Sequence, residues 1–259
     1  MTESQDDKIR MLPGKTRDQI AASPLPFPDR DTLDAQEQAL FDEIMEREVR
    51  FFNSFPTERG GEFKLTPLFQ GLLQSPRLAK LWAGFGDFYQ TSEERGSFNN
   101  RERDVALMSL LPTLTIARTG KFPLSPVWVT WAVSTGVTPK DIKAILEERV
   151  DDLAPEDRQL FEFVRATASG ALTSEQFRAL ADRWDVKTAI EFISMITWRI
   201  GLLRTVNAHW LIQDLIPDSA AGWAVLQEYL DGTRKVEAYD MASSWVTKDP
   251  AAEGSGSDE

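Results

Sequence analysis

The stretch AIEFISMITWRIGLLRTVNAHWLIQDL, residues 189–215, decides the fold. Its apolar residues are spread over almost every face of a helix, which predicts one long helix at the centre of a fold or in an oligomer interface. Four of its polar residues fall in the interior of the stretch. We expect them to be interior and to have partners, because an unpaired buried polar group costs about 1 to 3 kcal/mol. They are Arg199, Arg204, Asn207 and His209.

Shorter amphipathic helices precede this stretch. Apolar residues three to four apart predict a helix between Asp34 and Phe55, and two more lie between Thr66 and Gln90. Pro112 should kink or end the helix that begins near RERDVAL, because proline lacks a backbone donor. No alternating strand pattern occurs, so the predicted class is all-α. Local start signals predict further helix N-termini at Ser75-Pro76, Thr138-Pro139, Ala154-Pro155 and Thr173-Ser174.

Composition suggests how the chain is organised. Residues 1–30 contain several prolines without apolar periodicity, which is typical of an extended arm. Residues 31–234 carry all the predicted helices and are long enough to form one domain. Residues 235–259 are rich in small and acidic side chains, which predicts a disordered tail.

Charge and residue usage exclude several function classes. The chain has 41 acidic and 29 basic residues, a net charge of -12, which disfavours binding to nucleic acid or to anionic membrane surfaces. It has no cysteine and one histidine, which excludes thiol chemistry and argues against a metal site. No apolar run of about 20 residues and no signal-peptide pattern occurs, so we expect a cytoplasmic protein that does not enter the membrane.

The order of elements resembles the carboxymuconolactone decarboxylase / alkylhydroperoxidase D-like family. The similarity covers roughly residues 65 to 215 and rests on six motifs in order. They are RERDVAL, an apolar helix, Ala132-x-x-x-Gly136-Val137-Thr138, the helix DIKAI, the step LAPEDRQL and the run Arg204-Thr205-Val206-Asn207-Ala208. The resemblance implies a compact helical domain with a central helix hairpin. It also implies a homo-oligomer, as a dimer, trimer or hexamer, and chemistry on a small-molecule substrate without a cofactor.

The chain departs from this family at the catalytic positions. Counting back from Gly136 places Lys121 and Leu124 where peroxidase members have cysteines. Trp128 or Trp131, depending on the register, stands where the family has its histidine. The resemblance therefore favours a non-redox lyase or isomerase that acts on a small carboxylated or polycyclic metabolite by decarboxylation, cyclisation or ring isomerisation. Such chemistry belongs in aromatic degradation or secondary metabolism, and the alternative is a non-catalytic binding or assembly protein.

Two groups of residues are candidates for this chemistry. His209 could transfer a proton, or it could be a structural histidine bonded to Thr205 or Gln213, one turn away. Asp104, where a glutamate is common in the family, is the second candidate for proton transfer. The candidates for binding a substrate carboxylate are the pair Arg204 and Asn207, three residues apart on one helix face, and Arg118. The pair could instead have a structural role and bond the N-terminal arm or a partner chain.

Aromatic residues form the last group of candidates. They could line a pocket for a flat or polycyclic substrate, although aromatics at helical spacing also pack in ordinary cores. The group comprises Trp128, Trp131, Trp198 and Phe122.

Overall fold

A computed structural model of the chain describes residues 28–53, 67–91, 96–115, 122, 124–212 and 219–236, without the side chains of 48–53, 67, 68, 70, 90, 91 and 209–212. All regular elements in these ranges are helical, so the all-α prediction is confirmed there. The chain divides into two compact units, residues 1–93 with 240–259 and residues 94–239. Almost all of the predicted arm and tail lies outside the described residues.

The first unit contains three described helices, α1 (Ala35–Asn53), α2 (Pro67–Leu72) and α3 (Pro76–Thr91). Helix α1 buries Phe41, Ile44 and Met45 on one face, as its apolar spacing predicts, and it packs against α3. Arg47 of α1 is buried and donates to Asp87 of α3 at 2.7 Å. The two helices are thus joined by an apolar face and by ion pairs, which include Arg77 with Glu37 and Lys80 with Glu43 as well.

The second unit is built around a short helix rather than around the long one. Every residue of α4 from Glu102 to Leu110 is buried, and α4 packs against four other helices of this unit, α5, α6, α7 and α9. The helices of the unit are α4 (Asn100–Leu110), α5 (Pro126–Ser134), α6 (Pro139–Leu146), α7 (Pro155–Ser169), α8 (Ser174–Arg183), α9 (Val186–Ile212) and α10 (Ala220–Leu230).

The long helix predicted from residues 189–215 is α9, which begins three residues earlier than expected. Asp185 sets this start, because its carboxylate accepts from the backbone N–H of Thr188 at 2.7 Å and from the Thr188 hydroxyl at 2.9 Å. Helix α9 buries one side, yet Ile190 on the opposite side is 51% exposed. Within its own unit, α9 is therefore a packed outer helix and not an enclosed one.

The local start and stop signals read from the sequence are confirmed. The Thr138 hydroxyl accepts from the backbone N–H of Asp141 at 3.1 Å and begins α6. Thr173 forms a capping box with Gln176 at the start of α8. Helix α4 ends at Leu110, and Pro112 lies in the 3₁₀ turn that follows. None of the described helices combines the length and the apolar character needed to cross a membrane.

Candidate functional site

The second unit contains a cleft of about 480 Å³ at the point where three elements meet. Its walls come from the turn after α4, from the last turns of α7 and from the middle of α9. The residues that define it are Thr113, Leu114, Arg165, Ser169, Ile200 and Arg204. One of the arginines predicted to bind a substrate therefore lines a cleft.

Local backbone structure explains why the cleft forms there. The proline turn ends α4 at this point, and the Thr113 hydroxyl donates to the carbonyl of Leu110 at 2.6 Å. Helix α7 ends at Gly170, whose positive φ of 72° closes the helix, and the Ser169 hydroxyl donates to the carbonyl of Arg165 at 2.9 Å. Both hydroxyls therefore donate to their own backbone. The charged groups of the cleft are its two arginines, Arg165 and Arg204.

These two arginines differ in their partners. Arg165 donates to Glu148 at 2.6 Å and lies 5.6 Å from the centre of the Phe161 ring, so its charge is already balanced. Arg204 is exposed and forms no hydrogen bond or ion pair with any residue that the structure describes. We had expected Arg204 to be interior; it is instead on the exposed side of α9. The cleft thus carries one uncompensated positive charge.

Asn207, the other member of the predicted pair, lies one turn further along α9. Its side-chain N–H group donates to the carbonyl oxygen of Leu114 at 3.4 Å. Its Oδ1 atom is buried and accepts no hydrogen bond within the described parts of the chain. Since Leu114 lines the cleft, Asn207 supports one wall of it.

Asp104 does not lie in this cleft. It is buried in α4, where Arg103 donates to its two carboxylate oxygens at 2.9 and 3.0 Å and the Thr135 hydroxyl donates at 2.8 Å. Such a carboxylate is held in one orientation and is fully engaged by its donors. The sequence did not predict the Arg103 and Thr135 partners; the adjacent charges in an otherwise apolar helix were the one available sign of an internal ion pair.

Arg199 lies on the buried side of α9, as predicted, and is only 6% exposed. Its guanidinium lies 4.7 Å from the centre of the Trp198 ring. Burial and, to a smaller extent, the nearby charge of Arg103 lower the pKa of Arg199 to about 10, while the charge of Asp104 opposes the change. Arg199 therefore stays protonated at neutral pH.

The remaining aromatic candidates lie in α9, in α5 and in the loop before α5. Phe122 contacts Trp223, at 6.4 Å between ring centres, and Trp198 contacts Arg199; neither contact involves another predicted aromatic residue. Trp131 is buried in α5 and Trp128 is half-buried. An aromatic cluster that was not predicted comprises Phe98, Phe163, Trp184 and Phe192. Arg118 and the side chain of His209 lie outside the described residues.

Two further features of the described residues concern binding sites. A second cleft of about 440 Å³ lies beside Lys140, Asp152 and Gln227, with lysine, arginine and aspartate side chains on its walls. No group of three or more acidic or histidine side chains suited to a metal ion occurs in the described ranges. No protein-family model, no curated protein and no solved structure matches the chain.

Proposed function

We propose that this protein binds a small carboxylated metabolite in the Arg204 cleft and acts on it as a cofactor-independent, non-redox lyase or isomerase. The observation that carries the proposal is the charge of Arg204, which faces no partner among the described residues although it lines a cleft. A guanidinium binds a carboxylate through two parallel hydrogen bonds, and it is the side chain best suited to that group.

The dimensions and walls of the cleft support a ligand of this kind. A volume of about 480 Å³ lies within the range of roughly 300 to 1,000 Å³ that is typical of small-molecule sites. Leu114 and Ile200 supply apolar wall against which the body of such a ligand could pack. A carboxylated metabolite fits this cleft, because Arg204 would bind its carboxylate and the apolar side chains would pack against its body.

The proposed chemistry requires charge stabilisation and one proton transfer. In a decarboxylation, the carbon–carbon bond breaks, carbon dioxide leaves, and the remaining electron pair on carbon accepts a proton. In an isomerisation, one proton is removed from the substrate and returned at another atom. His209 remains the proposed proton-transfer residue. Asp104 lies outside the cleft and its oxygens are engaged by Arg103, which keeps its proton and cannot relay one, so the proposed step does not include Asp104.

Ligand binding tests the first half of the proposal. Calorimetric titration of the full chain with a panel of aromatic and aliphatic carboxylates, beginning with benzoate, should yield a ligand whose affinity falls about 10- to 100-fold in Arg204→Gln, since a hydrogen bond to a charged group contributes about 1.5 to 3 kcal/mol. Arg178→Gln is the matched control, because Arg178 is an exposed arginine of α8 outside the cleft. Equal affinity in both variants would contradict the assignment of Arg204.

A second candidate function is a non-catalytic binding or assembly protein, and one observation favours it. Asp104 is held by Arg103 and Thr135, so none of its oxygens is left without a donor. Incubating the protein with each bound carboxylate and following the products by NMR separates the two functions. Turnover that Arg204→Gln reduces supports the enzyme; binding without turnover supports the binding protein. The mass in solution tests the proposed dimer, trimer or hexamer in both cases.

A further inference from the structure

Four helices of the second unit end in the same backbone motif, and one of these ends carries an unusual residue. At each end a residue with positive φ follows the helix, and the backbone N–H of the next residue donates to the carbonyl five positions earlier. The residue with positive φ is Gly136 after α5, Gly170 after α7 and Gly232 after α10. After α6 it is Glu148, with a φ of 57°. In the part of the chain that the structure describes, Glu148 is the only residue other than glycine with a positive φ.

A glutamate is unfavourable at this position. When φ is positive, its Cβ atom crowds the backbone, whereas glycine has no such contact and is the usual residue at this place in the motif. Residues that keep an unfavourable backbone conformation are often found at functional sites. The side chain of Glu148 therefore needs a role that glycine could not fill.

Stability is a weak explanation for the glutamate. The carboxylate of Glu148 forms an ion pair with Arg165 of α7, and the two side chains are 48% and 39% exposed. Ion pairs with this degree of exposure contribute little to the free energy of unfolding, because water screens the charges. The ion pair does not clearly offset the cost of the positive φ.

The position of Arg165 gives the ion pair a different consequence. Arg165 donates from Nη1 to the Glu148 carboxylate at 2.6 Å, and it lines the same cleft as Arg204. Arg204 has no such partner among the residues that the structure describes. Glu148 thus balances one of the two positive charges of the cleft and leaves the other available.

We propose that Glu148 determines the specificity of the Arg204 cleft, so that the cleft binds monocarboxylates in preference to dicarboxylates. One carboxylate of a ligand pairs with Arg204. A second carboxylate meets Arg165, whose charge is already balanced, and is repelled by the carboxylate of Glu148. The inference rests on the proposed function, because it concerns the ligand of the same cleft.

The test compares benzoate with phthalate, isophthalate and terephthalate by calorimetric titration of the full chain at about pH 8, where the last three carry two negative charges. The three isomers hold their carboxylates at different separations and so sample different spacings of the two guanidinium groups. The variants are Glu148→Gln, Glu148→Gly and the double variant Glu148→Gln with Arg165→Gln. Glu147→Gln is the matched control, because it removes the same charge one position away and Glu147 pairs with Arg149 at 2.9 Å.

We expect both Glu148 variants to bind at least one dicarboxylate about 10-fold more tightly, relative to benzoate, than the unchanged chain does. The reason is that a released Arg165 offers a second charged hydrogen-bond donor. The double variant should lose this gain, and Glu147→Gln should keep the preference of the unchanged chain. Glu148→Gly also removes the unfavourable φ, so it should unfold at a Tm no lower than that of Glu148→Gln. A purely structural role of Glu148 would change Tm without changing the ratio of the affinities.

The outcomes separate this inference from the proposed function. If benzoate binds the unchanged chain through Arg204 but the ratio is the same in Glu148→Gln and Glu147→Gln, the proposed function stands and the inference is overturned. If the unchanged chain binds no benzoate, the proposed function loses its support. A gain of dicarboxylate binding in Glu148→Gln that depends on Arg165 would then still support the inference. Absence of any such gain in both Glu148 variants overturns the inference, whatever the unchanged chain binds.

Discussion

The ion pair between Arg101 and Asp157 allows a quantitative prediction of stability. Asp157 is buried at the start of α7, and it accepts two hydrogen bonds from the Arg101 guanidinium. Arg101 also donates from Nε to the carbonyl of Gly136 at 3.3 Å, in the turn after α5. One side chain therefore connects α4, α7 and this turn. The hydrogen bonds to Asp157 raise the pKa of Arg101, which indicates that the paired form is favoured.

The perturbation is Asp157→Asn, which keeps the shape of the side chain and removes its charge. Breaking a fully buried ion pair by removing one partner costs about 3 to 5 kcal/mol. Arg101 is about one-third exposed, so water recovers part of that loss. We expect the free energy of unfolding to fall by about 2 to 3 kcal/mol, and Tm to fall by roughly 4 to 12 °C.

Equilibrium unfolding in urea measures this change as a lower midpoint at an unchanged slope. The matched control is Asp151→Asn. Asp151 lies in the turn before α7 and is fully exposed, and its nearest cation, Arg158, is 3.7 Å away. The control should change the free energy of unfolding by less than about 0.5 kcal/mol. If Asp157→Asn and Asp151→Asn unfold at the same urea concentration, the buried ion pair does not stabilise the second unit as argued.

Two further predictions concern packing and pH. Gly222→Ala should lower the free energy of unfolding by about 1 to 3 kcal/mol, because a Cβ there would overlap the carbonyl of Leu124. The control is Gly84→Ala in α3. A Cβ at Gly84 would lie in open space, so this variant should not lower the free energy of unfolding. The bonds from Thr188 lower the pKa of Asp185, so its contribution to stability is present above the ordinary pKa of the carboxyl group and disappears as the pH falls through the lowered value. The Tm of the unchanged chain should therefore exceed that of Asp185→Asn at pH 7, and the two should converge on acidification; a constant difference down to about pH 2 would refute this.

The helices could be predicted from the sequence because their signals are local. Thr138 and Thr173 lie within three residues of the backbone groups that they cap, so spacing alone identifies the helix starts. The apolar content of residues 189–215 predicted a helix at the centre of the fold or in an oligomer interface. Within the second unit it is α4, with its charged first turn, that is buried from Glu102 to Leu110. The interface alternative for α9 stays a prediction.

The burial of α4 could not be predicted from local spacing, because its charges are balanced by residues far away in sequence. Asp157 is 56 positions from Arg101, and Arg183 is 81 positions from Glu102. No local pattern shows that these partners will meet. Tertiary ion pairs allow the charged start of α4 to be buried.

The candidate site also has features that local spacing predicts and features that depend on tertiary packing. The spacing of Arg204 and Asn207 placed them on neighbouring turns of one helix, and both lie at the cleft or beside it. The cleft itself also needs Leu114 and Arg165, which come from two other elements. Asp104 could be singled out by its residue type, but its engagement by Arg103 and Thr135 depends on the packing of α4 against α5.

The charged run at the start of α4 also restricts how this helix can dock. Four consecutive residues, Arg101 to Asp104, find their partners in α7, in α8 or within the run itself. A shift of α4 by one residue would rotate each side chain by about 100° and separate these charges from their partners. An apolar helix could slide at much smaller cost, because one aliphatic contact resembles another. The charged run therefore fixes the register of α4, and a chain with apolar residues at these positions would gain alternative packings.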